Sequence, residues 1–386
     1  MKTARFLRLR TGATRDLKSD IHAAATDEGD ASIGQYGSVS ALGLRIFSSR
    51  LSPDGKANTL PMKTVFFTTL IAATAIADHG PGTSGSGFNT QTAETLKARE
   101  WDASFNFDWT EFDSPSPSAL IGKEHFDLID RSFLSTFSVS FGATENLQLG
   151  LAFGYYAAEG TRRIAHHEEE AEAGHHEHAE EHHEETAPSL ASFEPDGWTD
   201  LWLTGKYRVH RGPAGSFALL GGVKFPVGET RVLDSDGERL EPASTPGSGA
   251  WDGMAGAAYT FALTPSLALD ASAQYTLRGE KRGYRLGNRL DAGVALGWRI
   301  FGEAKSFPQV SLQAEANVRA IGKSDTEEGR DGNTGGTVLF LSPGARVRFT
   351  EHAAWSVGVQ LPVVQDLNGD QVETAFRVTS GFSFTF

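Results

Sequence analysis

The sequence predicts an all-β chain: a closed antiparallel transmembrane β-barrel of about twelve strands, with short periplasmic turns and long extracellular loops. Three observations predict it. Segments of about ten residues alternate apolar and polar side chains with period two, so that one face suits lipid and the other water. The connectors between these segments alternate short and long. The chain ends on the aromatic strand Thr379-Ser380-Gly381-Phe382-Ser383-Phe384-Thr385-Phe386, which in water would be an apolar, uncharged edge prone to aggregate.

Composition narrows the remaining classes. With 39% apolar and 22% charged residues, no segment beyond the leader offers the ~20 apolar residues of a membrane-spanning helix, but a barrel needs none. The absence of cysteine excludes disulfides, thiolate metal sites and thiol catalysis. A net charge of −14 makes nucleic acid an implausible partner.

The elements follow in chain order. Met62-Lys63-Thr64, the apolar run Val65 to Ala75 and the small-residue site Ala75-Ile76-Ala77 form a secretory signal peptide over 62–77. A leader normally stands at the true N-terminus, so residues 1–61 read as a mis-annotated upstream extension or a disordered prefix, and 78–99 as a periplasmic N-terminal segment. The barrel occupies 100–386. Its first strand, near 100–112, sets Trp101, Ala103, Phe105, Phe107 and Trp109 opposite Asp102, Ser104, Asn106 and Asp108. The pattern recurs near 132–142, 146–156, 198–210, 216–225, 250–262, 266–278, 288–301, 308–320, 337–349, 354–363 and 374–386. Short connectors such as Ala143 to Glu145 and Leu263 to Pro265 alternate with long ones such as Asp113 to Arg131, Pro226 to Gly249 and Val364 to Glu373. An even strand count returns both ends to the periplasm. A soluble β-sandwich fits the strands, but it explains neither the leader nor the loop asymmetry.

The longest loop, 157–197, carries His166, His167, His175, His176, His178, His182 and His183 among twelve acidic residues and two arginines. Imidazole beside carboxylate suits Zn, Ni, Co or Cu(II), and in a helix His175, His178 and His182 would share one face. A metal-binding extracellular loop is therefore expected; the competing account is a solvated acidic loop with no ligand. Facing the lumen, the strands offer Asp102, Asp108, Asp200, Asp252, Asp270, Asp291 and Glu315 beside Lys206, Arg208, Lys224, Arg289, Arg299, Arg319, Arg346, Arg348 and Arg377. Mixed charge there fits either a narrow hydrophilic channel or a lumen closed by ion pairs. No strand carries an outward histidine at mid-height, as an outer-membrane phospholipase would require, and His125 beside Asp127 and Asp130 is a weak basis for a hydrolase. Catalytic residues are not found.

Two resemblances add to this. Thr379, Gly381, Phe384 and Phe386 resemble the C-terminal sorting signal read by barrel-assembly machinery of the outer membrane. Gly197-Trp198-Thr199-Asp200-Leu201, Gly222-Val223-Lys224-Phe225-Pro226-Val227-Gly228-Glu229 and Gly247-Ser248-Gly249-Ala250-Trp251-Asp252 resemble the central run of the bacterial family labelled Putative MetA-pathway of phenol degradation. Val227 stands where that family usually has Thr, and Trp198 where a Gly often stands. The resemblance implies an outer-membrane barrel passing small, aromatic or hydrophobic molecules, and it implies no catalytic residue or required cofactor. The expected function is a passive channel or transporter for small solutes, with outer-membrane lipid, the assembly machinery and divalent metal ions as partners. A closed structural or metal-sensing barrel is the alternative.

Overall fold

Alternating apolar and polar residues satisfy lipid and water at once only if every backbone N–H and C=O is paired within the sheet, which requires closure. The computed structural model describes residues 88–116, 127–164, 190–213, 215–303 and 306–386. The histidine-rich run, the expected leader and the first 61 residues lie outside that set. Twelve long strands form the wall: β1 Trp101–Asp113, β2 Arg131–Gly142, β3 Leu147–Glu159, β4 Leu201–Gly212, β5 Gly215–Phe225, β6 Asp252–Thr264, β7 Leu267–Leu277, β8 Arg289–Phe301, β9 Gln309–Ile321, β10 Gly336–Arg348, β11 Ala353–Leu367 and β12 Glu373–Thr385. Each pairs antiparallel with its sequence neighbours, and β1 also pairs with β12 from Asp102 opposite Thr385 to Asp113 opposite Glu373. The seam is sealed at its end by Trp101 N to Phe386 O at 2.7 Å and Phe386 N to Trp101 O at 2.8 Å. A 13-residue strand such as β1, tilted by about 45°, rises roughly 30 Å, the depth of a hydrocarbon core.

Burial is inverted relative to a water-soluble domain. Leu151 is 47% exposed, Leu219 49% and Phe382 51%, whereas Lys224 and Asp270 are each 1% exposed. Such a continuous apolar outer face far exceeds the patches that a soluble monomer tolerates, and lipid covers it. Rings stack across neighbouring strands on this face, Trp101 on Phe141 at 4.6 Å, Phe105 on Phe137 at 5.0 Å and Phe137 on Phe153 at 5.7 Å. Each such pair contributes about 0.5–1.5 kcal/mol beyond area burial.

Three details depart from the expected layout. The strand expected from 198 is interrupted: Gly197 and Trp198 pair with Tyr156 and Tyr155, the Thr199 hydroxyl accepts the Gly154 N–H at 2.8 Å in place of a backbone carbonyl, and the long strand resumes at Leu201. β11 runs on to Leu367, with Val338, Thr337 and Gly336 pairing Gln365, Asp366 and Leu367, so the last outer connector shrinks to residues 368–372. The outer loops carry structure of their own: Asp127–Leu128, Arg162–Ile164 and Leu190–Ser192 form one small sheet, and Glu280–Lys281, Tyr284–Arg285, Asp325–Thr326 and Gly329–Arg330 another. Leu128, Ile129, Tyr156, Ala158 and Val372 pack beneath the first as a hydrophobic cluster.

Candidate functional site: the lumen

A correction comes first. Residues 88–98, expected in the periplasm, lie inside the barrel. Their sequence is rich in Thr, Gln and Asn, and an extended backbone of that kind exposes one N–H per residue to a wall lined with acceptors. The Glu315 carboxylate, buried midway along β9, accepts the N–H of Phe88, the N–H of Asn89 at 3.2 Å and the Thr90 hydroxyl at 3.5 Å. Asn317 Nδ2 donates to Thr90 Oγ1 at 3.0 Å. Gln91 N donates to Ser272 Oγ on β7 at 2.9 Å, and Ala93 N to Thr260 Oγ1 on β6 at 2.9 Å. Glu94 meets Arg208 on β4 at 2.9 Å and Ser216 on β5 at 2.7 Å, and Leu96 N reaches Gln148 Oε1 on β3 at 3.1 Å. The strap thus follows the inner wall past β9, β7, β6, β5, β4 and β3 before joining β1. Its first ring, Phe88, lies where Gly344 and Gly358 leave room: a Cβ on either would fall 2.2 or 2.6 Å from a ring carbon.

A different device ties an outer loop to the extracellular end of the wall. Loop 226–251 folds inward and is held by Asp200, itself 4% exposed. Its carboxylate accepts the N–H of Gly228 at 3.0 Å, and the N–H and hydroxyl of Ser248 at 3.0 and 3.1 Å. Lys224 Nζ lies 3.0 Å from Asp200 and 2.7 Å from Asp252, and Arg278 adds a second cation 2.7 Å from Asp252. Two carboxylates against two cations leave this buried cluster neutral, which is the condition under which such burial is tolerated. The residues gathered here are those of the Gly-Trp-Thr-Asp, Lys-Phe-Pro-Val-Gly and Gly-Ser-Gly runs picked out in the sequence, so those runs encode a latch between loop and wall.

Below it, Asp291 on β8 pairs with Arg289 on its own strand and with Arg319 on β9 at 2.9 Å. Arg377 on β12 donates to Thr110 Oγ1 at 3.0 Å, and Asp108 accepts from Thr379. Arg377 lies within electrostatic range of Asp108, Arg319 and Arg289, so three guanidiniums face two carboxylates at this level. Nearer the periplasm, Asp102 accepts from Thr385 at 3.1 Å, within range of Arg346. Asp270 accepts from Thr260 at 2.5 Å, and the Lys206 ammonium donates to the Glu94 carbonyl at 3.3 Å.

Two expected lumen residues fall elsewhere. Arg299 donates to the Pro265 carbonyl at 2.7 Å, and Arg348 lies with its guanidinium 5.2 Å from the Phe307 ring centre while reaching Gln309 at 3.4 Å. Both sit at the periplasmic rim, where the strand ends let a long side chain turn back onto the short connectors. His166, His167, His175, His176, His178, His182 and His183 lie outside the described residues, among which no three His, Asp or Glu side chains form a candidate metal site. Sequence reading missed Glu94, Arg278 and the strap. Arg278 follows the last residue of β7 in phase with the inward set, a usable clue; the strap offered only a polar run.

Between strap and wall lies a small cavity of about 40 Å³ bordered by β2 to β7, with Gln91 on the strap side and Gln148, Lys206, Gln274, Leu220 and Met254 around it. Gly150, Gly205 and Gly221 thin the wall there.

A profile of the family described as Putative MetA-pathway of phenol degradation matches residues 156–365. No curated protein matches the chain. Among solved structures, an outer membrane channel from Pseudomonas putida F1 is similar over 76% of this chain and 98% of its own, at 13% identity and a TM-score of 0.50. The transport unit of the autotransporter AIDA-I from Escherichia coli is 13% identical over 75% of this chain and 91% of its own, with a TM-score of 0.42. The translocator domain of the autotransporter NalP from Neisseria meningitidis is 13% identical over 76% and 90%, with a TM-score of 0.41. At this identity the first likeness establishes the shared barrel fold alone.

Proposed function

The chain belongs to the family described as Putative MetA-pathway of phenol degradation, and from that premise we propose that this outer-membrane β-barrel is a solute conduit held closed by its own residues 88–98. The observation that carries the proposal is the manner in which the lumen is filled. An eight-stranded barrel packs its interior with side chains from the wall, whereas twelve strands leave room for more. Here that room holds a strap tied by backbone N–H groups to side-chain acceptors, by one ion pair and by a single aromatic ring. A segment held largely by polar contacts, with Ala93 packed against Ala218 and Ala258, opens locally at lower cost than the barrel unfolds. The wall it would uncover is polar and of mixed charge, as an aqueous path requires.

Planar-bilayer conductance tests this. The full-length chain should show a closed or rarely open state, and a variant lacking residues 88–96 a steady open pore, with heat-modifiable migration confirming that both barrels are folded. Flat traces from a folded deletion variant would overturn the proposal.

Sequence alone supports two further assignments. The histidine-rich stretch would bind Zn, Ni, Co or Cu(II), and deleting Ala165 to Glu185 should then abolish retention of these ions without disturbing the barrel. Thr379, Gly381, Phe384 and Phe386 would present the last strand to the assembly machinery; Phe384 and Phe386 are 57% and 68% exposed on the outer face.

A further inference from the structure

We propose that Arg377, with Arg319 and Arg289 beside it toward the extracellular end of the lumen, forms a binding site for a small monoanion carrying a carboxylate. The site is built by the wall itself; its use as a station for a passing solute rests on the lumen being a solute path.

Charge, unused donors and access each point to it. Asp291 is shared between Arg289 and Arg319, so it neutralises only one of them. The carboxylates in electrostatic range of Arg319 and Arg377 are Asp291 and Asp108, so three guanidiniums meet two carboxylates and one positive charge remains. Arg278, also in range of Arg289 and Arg319, adds nothing to that excess, because it and Lys224 are balanced by Asp200 and Asp252. One uncompensated charge in a wall of low dielectric attracts one negative charge and is overfilled by two. The donors are free to meet it. Arg377 uses Nε on Thr110, its partner in the β1–β12 register, at 3.0 Å, and Arg319 uses Nε on Asp291, its partner in the β8–β9 register, at 2.9 Å. Asp108 meanwhile accepts from Thr379. Among the described residues, the Nη groups of Arg377 and Arg319 meet no acceptor. A planar fork of N–H donors matches the two oxygens of a carboxylate better than it matches a spherical ion. Access comes from outside. The side chains of Arg319 and Asp291 are 16% and 20% exposed, so water reaches them. Arg289 begins β8, and Arg319 stands nearer the extracellular end of β9 than Glu315, where the strap is tied. An anion entering from outside therefore meets the arginines before it meets the strap.

Resonance broadening of carboxyl-labelled acetate tests the site on the full-length chain in nonionic detergent micelles, in a chloride background of constant ionic strength, with protein-free micelles as the reference. Acetate should broaden above the reference, and inorganic phosphate, as the dianion, and methylammonium should compete at least about tenfold less well than unlabelled acetate. Arg377→Gln should weaken acetate about tenfold, the loss expected when a charge-assisted fork is removed. Arg377→Lys, which keeps the charge without the fork, should fall between, and Arg299→Ala at the periplasmic rim should change nothing. Asp108→Asn, which leaves a second uncompensated charge, should tighten acetate severalfold and admit phosphate, a gain that misfolding cannot produce. Broadening equal to that of empty micelles, phosphate or methylammonium competing as well as acetate, or acetate binding unaltered by Arg377→Gln in a barrel shown to be folded by heat-modifiable migration would each overturn the assignment. Acetate binding by a chain whose strap deletion passes no current would refute the conduit and leave the site; current through the strap deletion without acetate binding by the full-length chain would do the reverse.

Discussion

Replacing Asp200 with alanine should free loop 226–251 while leaving the barrel intact. The carboxylate accepts three hydrogen bonds, from Gly228 N, Ser248 N and Ser248 Oγ, and neutralises Lys224, all in a site where Asp200 is 4% exposed. Lys224 would keep Asp252 at 2.7 Å, so its charge is not stranded. The main loss is the pair of backbone N–H groups left without an acceptor, each costing about 1–3 kcal/mol when buried. A total of about 3 kcal/mol corresponds to roughly a hundredfold rise in the population of the opened loop. The loop can escape that cost by swinging into water, which the barrel strands cannot do. Amide hydrogen exchange is therefore the assay: Gly228 and Ser248 should lose about two decades of protection, with β5 and β6 unchanged. Asp200→Asn, which keeps one oxygen acceptor, should fall between. Unaltered exchange at both amides in the alanine variant would refute the latch.

Further outcomes follow from other parts of the lumen. Glu94→Gln removes the Arg208 ion pair, and because Glu94 is 43% exposed the loss should be only about 0.5–1 kcal/mol, a two- to fivefold rise in open probability in single-channel records. In the strap-deleted barrel, Arg377→Gln should shift the reversal potential in a salt gradient toward cations, whereas Arg299→Ala, at the periplasmic rim, should leave it unchanged. The Asp325 carboxyl in the outer four-stranded sheet is held below its ordinary value by its hydrogen bond to Arg285 and by the charges of Arg285 and Arg330. A depressed carboxylate stabilises the folded loop above its unfolded value near 3.8 and loses that contribution as pH falls below it. Exchange of the Asp325–Thr326 amides, corrected for intrinsic rates, should accelerate below about pH 4, and Asp325→Asn should abolish that dependence.

Much of the wall was legible because a strand's facing is a local property. Asp102, Lys206, Lys224, Asp270 and Glu315 could be assigned inward from parity alone, and burial agrees for each. Parity fails at strand ends: Arg299 and Arg348 keep the inward phase but have a free rim to turn onto, and Arg278 lies one residue past the ladder and still reaches Asp252. The runs around Asp200, Gly228 and Ser248 were visible as a family resemblance, but nothing in their spacing says that one carboxylate binds the other two segments.

By itself the sequence determined about twelve strands, their facing, the side on which the long loops lie and the closing of Phe386 against the strand of Trp101, because period-two alternation and connector length act over neighbouring residues. Only the tertiary structure decided what occupies the cylinder. The strap meets Glu315 some 227 positions away in the chain, and the latch joins Asp200 to Ser248 across 48. Such contacts depend on which donors and acceptors the closed wall brings to the same height, a quantity fixed by the register of all twelve strands together and written in no single segment.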